Sequence, residues 1–327
     1  MEKMIEFFAG VLVALLVQPL LKLFQLTGGN GKRSKQDVYG MDHAMLNLRL
    51  DTYWLNMGLW TNGIESFAEA CENLARRVGQ GRIKPGDRVF DFGSGCGDQL
   101  LLWIRMQPNC HIQSVTAEEA HAEFATSRIQ YRGFSGKVDV FHGDALNLDS
   151  WRRVVSLNAA EGESEKVALW EDGTVDSIIS LDACYHFNTR REFLALCAKK
   201  LKQGTGLLSL SDIVLGAGGE EDQLSAMDRF YLHMFCSMSG VPLVNLVSLS
   251  EYKASIEGAG FHELEVEDIS KDVFPGLERF LTAQGDKMGP FLNGTRWMQY
   301  GTGMKMFLSW IIQKRVLRFV VVHAKRK

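Results

Sequence analysis

The chain has 327 residues, 46% of them hydrophobic and 23% charged, with a formal net charge of −3. The composition is that of a globular protein, the length allows one large domain or one domain with an appendage, and the charge balance excludes the basic footprint of a nucleic-acid binder. Six cysteines are scattered without a C-x-x-C pair, so neither a disulfide framework nor a zinc site is indicated, and free thiols fit a reducing compartment.

The first predicted element is apolar. Met4–Leu21 is an 18-residue stretch interrupted by Glu6, Gln18 and Pro19, at the short edge of the roughly 20 residues that a bilayer span needs. No small-x-small cleavage site follows, which disfavours a secretory leader. Lys22, Lys32, Arg33 and Lys35 follow the stretch against Lys3 alone before it, and the positive-inside rule then puts the rest of the chain in the cytosol. The expectation is a membrane-associating helix over 1–26, spanning or lying flat, that holds the protein at a cytosolic membrane face, the endoplasmic reticulum being one candidate. The alternative is an apolar helix packed on the domain or on a second subunit.

Residues 27–36 read as a glycine-rich, basic linker, and 37–80 as a helical cap. Within it Ile64, Phe67, Cys71, Leu74 and Val78 repeat at helical spacing before Gly79. From 81 to 327 strands and helices alternate. Strand 88–92 leads to helix 98–107, strand 111–115 to helix 118–131, and strand 138–142 to an irregular stretch. Strand 175–181 leads to helix 190–202, and strand 207–213 to an apolar helix over 223–239. A helix from Ser250 to Gly258, a strand over 261–267 and a last strand over 316–323 complete the pattern. The polar segment 158–172 reads as a surface insertion. Lys305, Lys314, Arg315 and Arg318 interleave with Met306, Phe307, Trp310, Ile311 and Ile312, as a solvated helix face or a second membrane contact. The fold class is α/β: a doubly wound, mostly parallel seven-stranded sheet covered on both faces, with an N-terminal apolar helix.

The most informative segment is Val89-Phe-Asp91-Phe-Gly93-Ser94-Gly95-Cys-Gly97-Asp98-Gln99. A strand, a glycine turn and a helix start bring backbone close to a ligand carrying charge and ribose. Dinucleotide sites space their glycines G-x-G-x-x-G; here the third glycine comes one residue early. A G-x-G-x-G turn with an acid two residues ahead of it resembles the nucleotide loop of class I S-adenosylmethionine (SAM) methyltransferases. The resemblance covers roughly residues 50–325 and implies a Rossmann-like SAM methyltransferase fold with SAM as cofactor. For the loop alone, a structural glycine turn in another α/β protein is the plainer alternative.

In open parallel sheets ligands sit beyond the carboxyl ends of the strands. After the second strand, Thr116-Ala117-Glu118-Glu-Ala-His121 resembles the G-[IL]-T-x-S-x-x-Q segment of the cyclopropane-synthase and sterol/tocopherol methyltransferase group, which implies ribose-side contacts from Thr116, Ala117 and His121. Glu118 and Glu119 read better as favourable charges on a first helical turn. After the third strand, Asp144-Ala145 resembles the family's adenine corner, where a carboxylate accepts the exocyclic amine; a plain turn capped by Asp144 competes with that reading. After the fourth, Leu181-Asp182-Ala-Cys-Tyr185-His186 looks like the family's E/D-x-x-x-H motif, whose histidine serves as general base in several members. Imidazole suits the task because its ordinary pKa near 6.5 leaves it proton-accepting in the cytosol. A structural histidine is the rival, and a Cys184–His186 nucleophile pair lacks a third partner.

Ahead of the domain, Tyr53-Trp54-Leu-Asn-Met-Gly58-Leu-Trp60 is similar to the group's aromatic segment, which implies that Trp60 closes over the methionine end of the cofactor. A desolvated sulfonium gains on the order of 1–2 kcal/mol from an aromatic face. Met227, Phe230, Tyr231, Met234, Phe235 and Met238 form an apolar stripe that is core or a variable lid over about 216–245. The candidate catalytic residues are thus His186 and Tyr185. The candidate cofactor residues are Trp60, Asp91, Gly93, Ser94, Gly95, Gly97, Gln99, Thr116, Ala117, His121, Asp144, Ala145, Leu181 and Asp182, with no metal. The expected activity is methyl transfer from SAM to carbon, oxygen or nitrogen of a small apolar metabolite of terpenoid, sterol, polyketide or alkaloid-like type. Two other readings stay open: a Rossmann-type NAD-dependent oxidoreductase, and a catalytically silent, membrane-tethered binding protein of the same fold.

Overall fold

The structure, a computed structural model, describes residues 52–154, 168–217, 224–292 and 296–327. The apolar segment 1–26, the linker 27–36, the start of the cap and most of the 158–172 insertion lie outside the described residues. Among the described residues no helix is long and apolar enough to cross a membrane.

Strands and helices alternate as the periodicity implies. After α1 (Phe67–Gly79) come β1 (Arg88–Phe92), α2 (Asp98–Met106), β2 (His111–Thr116), α3 (Glu119–Tyr131), β3 (Val138–His142) and a two-residue β4 (Arg152–Arg153). Then follow β5 (Ser177–Leu181), α4 (Arg190–Lys200), β6 (Leu207–Leu215), α5 (Ala226–Ser239), α6 (Leu249–Gly258) and β7 (Phe261–Asp268). Two long helices, α7 (Ser270–Leu292) and α8 (Arg296–Lys314), precede β8 (Leu317–Arg326). The sheet order is β4-β3-β2-β1-β5-β6-β8-β7.

Strand β1 is parallel to both neighbours, with Val89 opposite Ile112 on one side and Ser177 on the other. Chain order reverses at this point, since β2 and β3 lie to one side and β5 and β6 to the other; such a switch point opens a crevice at the strand ends. Alternation along β1 assigns its side chains. Phe90 and Phe92 point to the face that buries Trp151 and Phe193, whereas Val89 joins the opposite cluster with Leu74 and Trp103. Fully burying each such large apolar side chain contributes about 2 kcal/mol.

Two features depart from the expectation. The sheet has eight strands rather than seven, because Arg152–Arg153 pairs antiparallel with the outer edge of β3. And β7 and β8 are separated by α7 and α8, which pack on each other. The basic amphipathic stretch expected near residue 310 is the second of these helices. It buries Phe307, Leu308 and Ile311 in the core and leaves Met306 exposed, while Trp310 donates from Nε1 to Asp228 of α5 at 2.9 Å.

Candidate active site

The carboxyl ends of β1, β2, β3 and β5 converge on a cavity of about 490 Å³. Strand β1 enters it through the glycine turn, where Gly93, Gly95 and Gly97 have φ of 87°, 52° and 84°, a region costly for other residues. Space is as restricted as conformation. A Cβ on Gly93 would lie 2.4 Å from that of Ala183, and one on Gly95 2.8 Å from Cδ1 of Leu55. The turn is tied to β2, since the Gly93 N–H donates to the Val115 carbonyl at 2.9 Å and the Ser114 hydroxyl to that of Ser94 at 2.6 Å. Behind it Asp91 is fully buried and accepts from Gln99 Nε2 at 2.8 Å and Trp103 Nε1 at 2.6 Å. Burial pushes its carboxyl up to about 7 against the opposing pull of Trp103 and Gln99.

Residues 53–57 cross the turn as a strap held at both ends by carboxylates. The Tyr53 N–H donates to Asp98 Oδ2 at 3.0 Å, and the Met57 N–H to Asp182 Oδ2 at 2.7 Å. Asp98 forms a two-pronged pair with Arg128 at 2.6 and 2.7 Å, whose guanidinium lies 5.5 Å from the Tyr53 ring and 5.6 Å from that of Phe124. Asp182 also accepts the Tyr185 hydroxyl at 2.8 Å. Burial raises this second carboxyl to about 7, opposed by the Tyr185 and Met57 hydrogen bonds. The strap thereby places Tyr53, Trp54, Leu55 and Asn56 on the cavity wall.

His186 ends a short 3-10 turn, Cys184–His186, beyond β5 and faces the same cavity. Burial pushes its imidazole down to about 4, against the raising effect of a hydrogen bond to the Gly240 backbone. The ring is therefore neutral at physiological pH.

Of the residues named from the sequence, Gly93, Ser94, Gly95, Gln99, Thr116, Ala117, His121, Asp144, Ala145, Leu181, Asp182 and His186 line this one cavity. Four do not. Trp60 is in the core, with its ring 5.3 Å from Phe280 and its Nε1 donating to the Met57 carbonyl at 2.9 Å. A Cβ on Gly276 of α7 would stand 2.1 Å from that ring, so Trp60 locks the strap to the helical insertion, and Trp54 is the tryptophan at the cavity. Tyr185 is buried and spends its hydroxyl on Asp182. Asp91 and Gly97 support the turn from behind, Gly97 as the N-cap of α2.

Glu118, read from the sequence as a charge on a first helical turn, also faces the cavity. It is the N-cap residue of α3, whereas Glu119 is exposed on the first helical turn. Strand β2 runs on to Thr116, one residue beyond the predicted 111–115, so an acid two residues later still stands over the strand end. Asp144 serves in two ways, lining the cavity while its Oδ1 accepts the Leu146 N–H at 2.8 Å. Among the described residues no His, Cys, Asp and Glu group is arranged to hold a metal. Among the described residues the cavity lining carries four carboxyl groups, Asp98, Glu118, Asp144 and Asp182, and no lysine or arginine.

No family model matches the chain. Among solved structures, the [4+2]-cyclase SpnF aligns with a TM-score of 0.63 at 19% identity, covering 92% of this chain and 99% of that one. Geranyl diphosphate C-methyltransferase from Streptomyces coelicolor aligns with a TM-score of 0.66 at 14% identity, covering 91% and 100%. These likenesses show the fold, which hosts more than one chemistry. The sequence relatives separate the chemistries. Erythromycin 3''-O-methyltransferase of Saccharopolyspora erythraea is 25% identical over 258 residues, 78% of this chain and 76% of its own length. The 27-O-demethylrifamycin SV methyltransferase of Amycolatopsis mediterranei is 26% identical over 242 residues, 71% and 77%. The chain is a SAM-dependent methyltransferase.

The methyltransferase's cavity fits SAM on two counts. The glycine turn brings Gly93, Ser94 and Gly95 to the cavity wall, where positive φ at both glycines presents backbone rather than side chain to a ligand. The lining, with four carboxyl groups, one of them paired with Arg128, and no lysine or arginine among the described residues, complements the sulfonium and ammonium charges of SAM. When bound, SAM supplies a methyl group activated by its own sulfonium.

Proposed function

We propose that the methyltransferase methylates a hydroxyl of a small, uncharged, largely apolar metabolite, with His186 as the general base. The observation that carries this reading is a neutral imidazole on the same cavity wall as the glycine turn. A hydroxyl must lose its proton as the methyl group arrives, and a neutral imidazole accepts it. The relatives with an O-methyltransferase name, for erythromycin and in Aspergillus nomiae, support oxygen as the acceptor atom. Among the described residues the wall offers no lysine or arginine to a phosphorylated acceptor, such as the geranyl diphosphate bound by a structural neighbour.

In this reading the Gly93–Gly95 turn with Ser94 and Gln99 holds the amino-acid end of SAM. Glu118, with Thr116, Ala117 and His121, takes the ribose side, and Asp144 with Ala145 the adenine. Trp54 stands where Trp60 was expected, and Leu181 and Asp182 close the floor. The strap excludes water from the reacting atoms. The test is transfer of labelled methyl from SAM to a panel of neutral hydroxylated metabolites, each paired with its phosphorylated analogue. Label in the neutral members alone is expected; preference for the phosphorylated partners overturns the acceptor class.

We further propose that Met4–Leu21 tethers the enzyme to a membrane with the catalytic domain, 81–327 beneath the 37–80 cap, in the cytosol. The apolar run from Phe7 to Val17 and the basic residues that follow the stretch support this. Removing residues 1–35 is expected to move the protein from the membrane pellet to the supernatant; an unchanged distribution contradicts the tether.

A further inference from the structure

One buried carboxamide grips the turn that carries His186. Asn245 is 2% exposed and ends a short turn, Leu243–Asn245, after α5. Its Nδ2 donates to the carbonyl of Tyr185 at 2.9 Å and to that of Phe187 at 2.6 Å, the two residues flanking His186. Its Oδ1 accepts the N–H of Arg190, the first residue of α4, at 2.9 Å. One planar group thus satisfies three backbone atoms of the segment from Tyr185 to Arg190.

The frame behind it is anchored to the sheet. Arg190 Nη1 donates to Asp212 Oδ2 and to the Ile213 carbonyl of β6, both at 3.0 Å, and Nη2 donates to the Asn245 carbonyl. The guanidinium lies 4.2 Å from the Tyr252 ring. Gly240, whose backbone bonds the His186 ring, belongs to the same connection between α5 and α6 as Asn245. Asn245 is not on the cavity wall, so it reaches the reaction only through the turn.

We propose that Asn245 is the positioning residue for His186, fixing where the imidazole stands relative to the acceptor. The inference rests on the reading of His186 as general base. Two donors and one acceptor on one rigid plane are what the three backbone atoms require, and no other residue of similar size supplies them. Without the carboxamide the Tyr185 and Phe187 carbonyls lose a buried donor and the turn relaxes. Displacement of a catalytic group by about 1 Å costs up to about 10²-fold in rate.

The test is a kinetic cycle with Asn245→Ala, His186→Ala and the double variant, together with Asn245→Ser, which retains one donor. Asn245→Ala is expected to lower kcat about 10- to 100-fold with S-adenosylhomocysteine (SAH) affinity unchanged within about twofold, and Asn245→Ser to fall between it and the wild type. The double variant is expected to be no slower than His186→Ala, because both changes remove one function. A wild-type kcat in Asn245→Ala, or single effects that multiply in the double variant, overturns the proposal while leaving the base reading in place. A wild-type kcat in His186→Ala instead removes the base reading itself, and with it the role of Asn245. Should Asn245→Ala fail to bind SAH, the same cycle run with Asn245→Ser decides.

Discussion

At His186 burial and the Gly240 backbone hydrogen bond act in opposite directions, and burial wins, holding the imidazole at about 4. The sign matters for catalysis. A depressed pKa keeps the ring unprotonated as pH falls, so its base form is lost only as pH drops through about 4 rather than through the ordinary 6.5. At saturating SAM, kcat is therefore expected to stay level from pH 8 to well below 6.5, and His186→Ala to lower it about 10²-fold. An acid limb centred at 6.5 or above, abolished in the variant, would contradict the buried neutral ring; an unchanged rate in the variant would make His186 structural. Glu118 shows the opposite lesson at the same scale. Its residue type and its place after β2 were visible in the sequence. Its contact with the cavity was not, because that depends on how far the strand runs before α3 begins.

Among the elements, the strap of residues 53–57 lines the cavity beside the glycine turn, and a carboxyl group holds it at each end. Asp98 and Arg128 are 6% and 16% exposed, so removing the cation leaves a carboxylate largely out of water. Arg128→Met is expected to destabilise the fold by about 3 kcal/mol and to weaken SAH binding, because Tyr53 loses the cation stacked on its ring. Denaturant unfolding with a parallel SAH titration checks both; equal stability and affinity would show that the strap does not depend on the pair. The elements that period and punctuation define were legible. Strand β1, its glycine turn and α2 follow from an apolar run, three glycines and a stop before Pro108. Helix α7 was not, and α8 was legible only as an amphipathic stretch near residue 310, because their apolar residues pack partly against each other and against α5, with no strand between them to mark the alternation. Trp60 misled for a related reason. An aromatic segment announces that one ring meets the cofactor, but which ring depends on Gly276 of α7 admitting Trp60 into the core, a contact more than two hundred residues away in sequence.

For the whole molecule, the eight-stranded sheet does one thing for function: its reversal at β1 gathers four strand ends around one cavity. Side chains from the second, third and fourth predicted strands, listed apart in the sequence, become neighbours there. Among the described residues the resulting wall has four carboxyl groups and no lysine or arginine, which suits a cationic methyl donor and a neutral acceptor together. Calorimetric titration of the full-length chain with SAH, for the wild type, Glu118→Ala and His186→Ala, tests this arrangement most directly. One SAH per chain with a Kd on the order of micromolar is expected, weakened at least about tenfold in Glu118→Ala and retained in His186→Ala. Absence of binding in the folded wild type, or equal loss in both variants, would contradict a cavity divided between a cofactor side and a proton-accepting side.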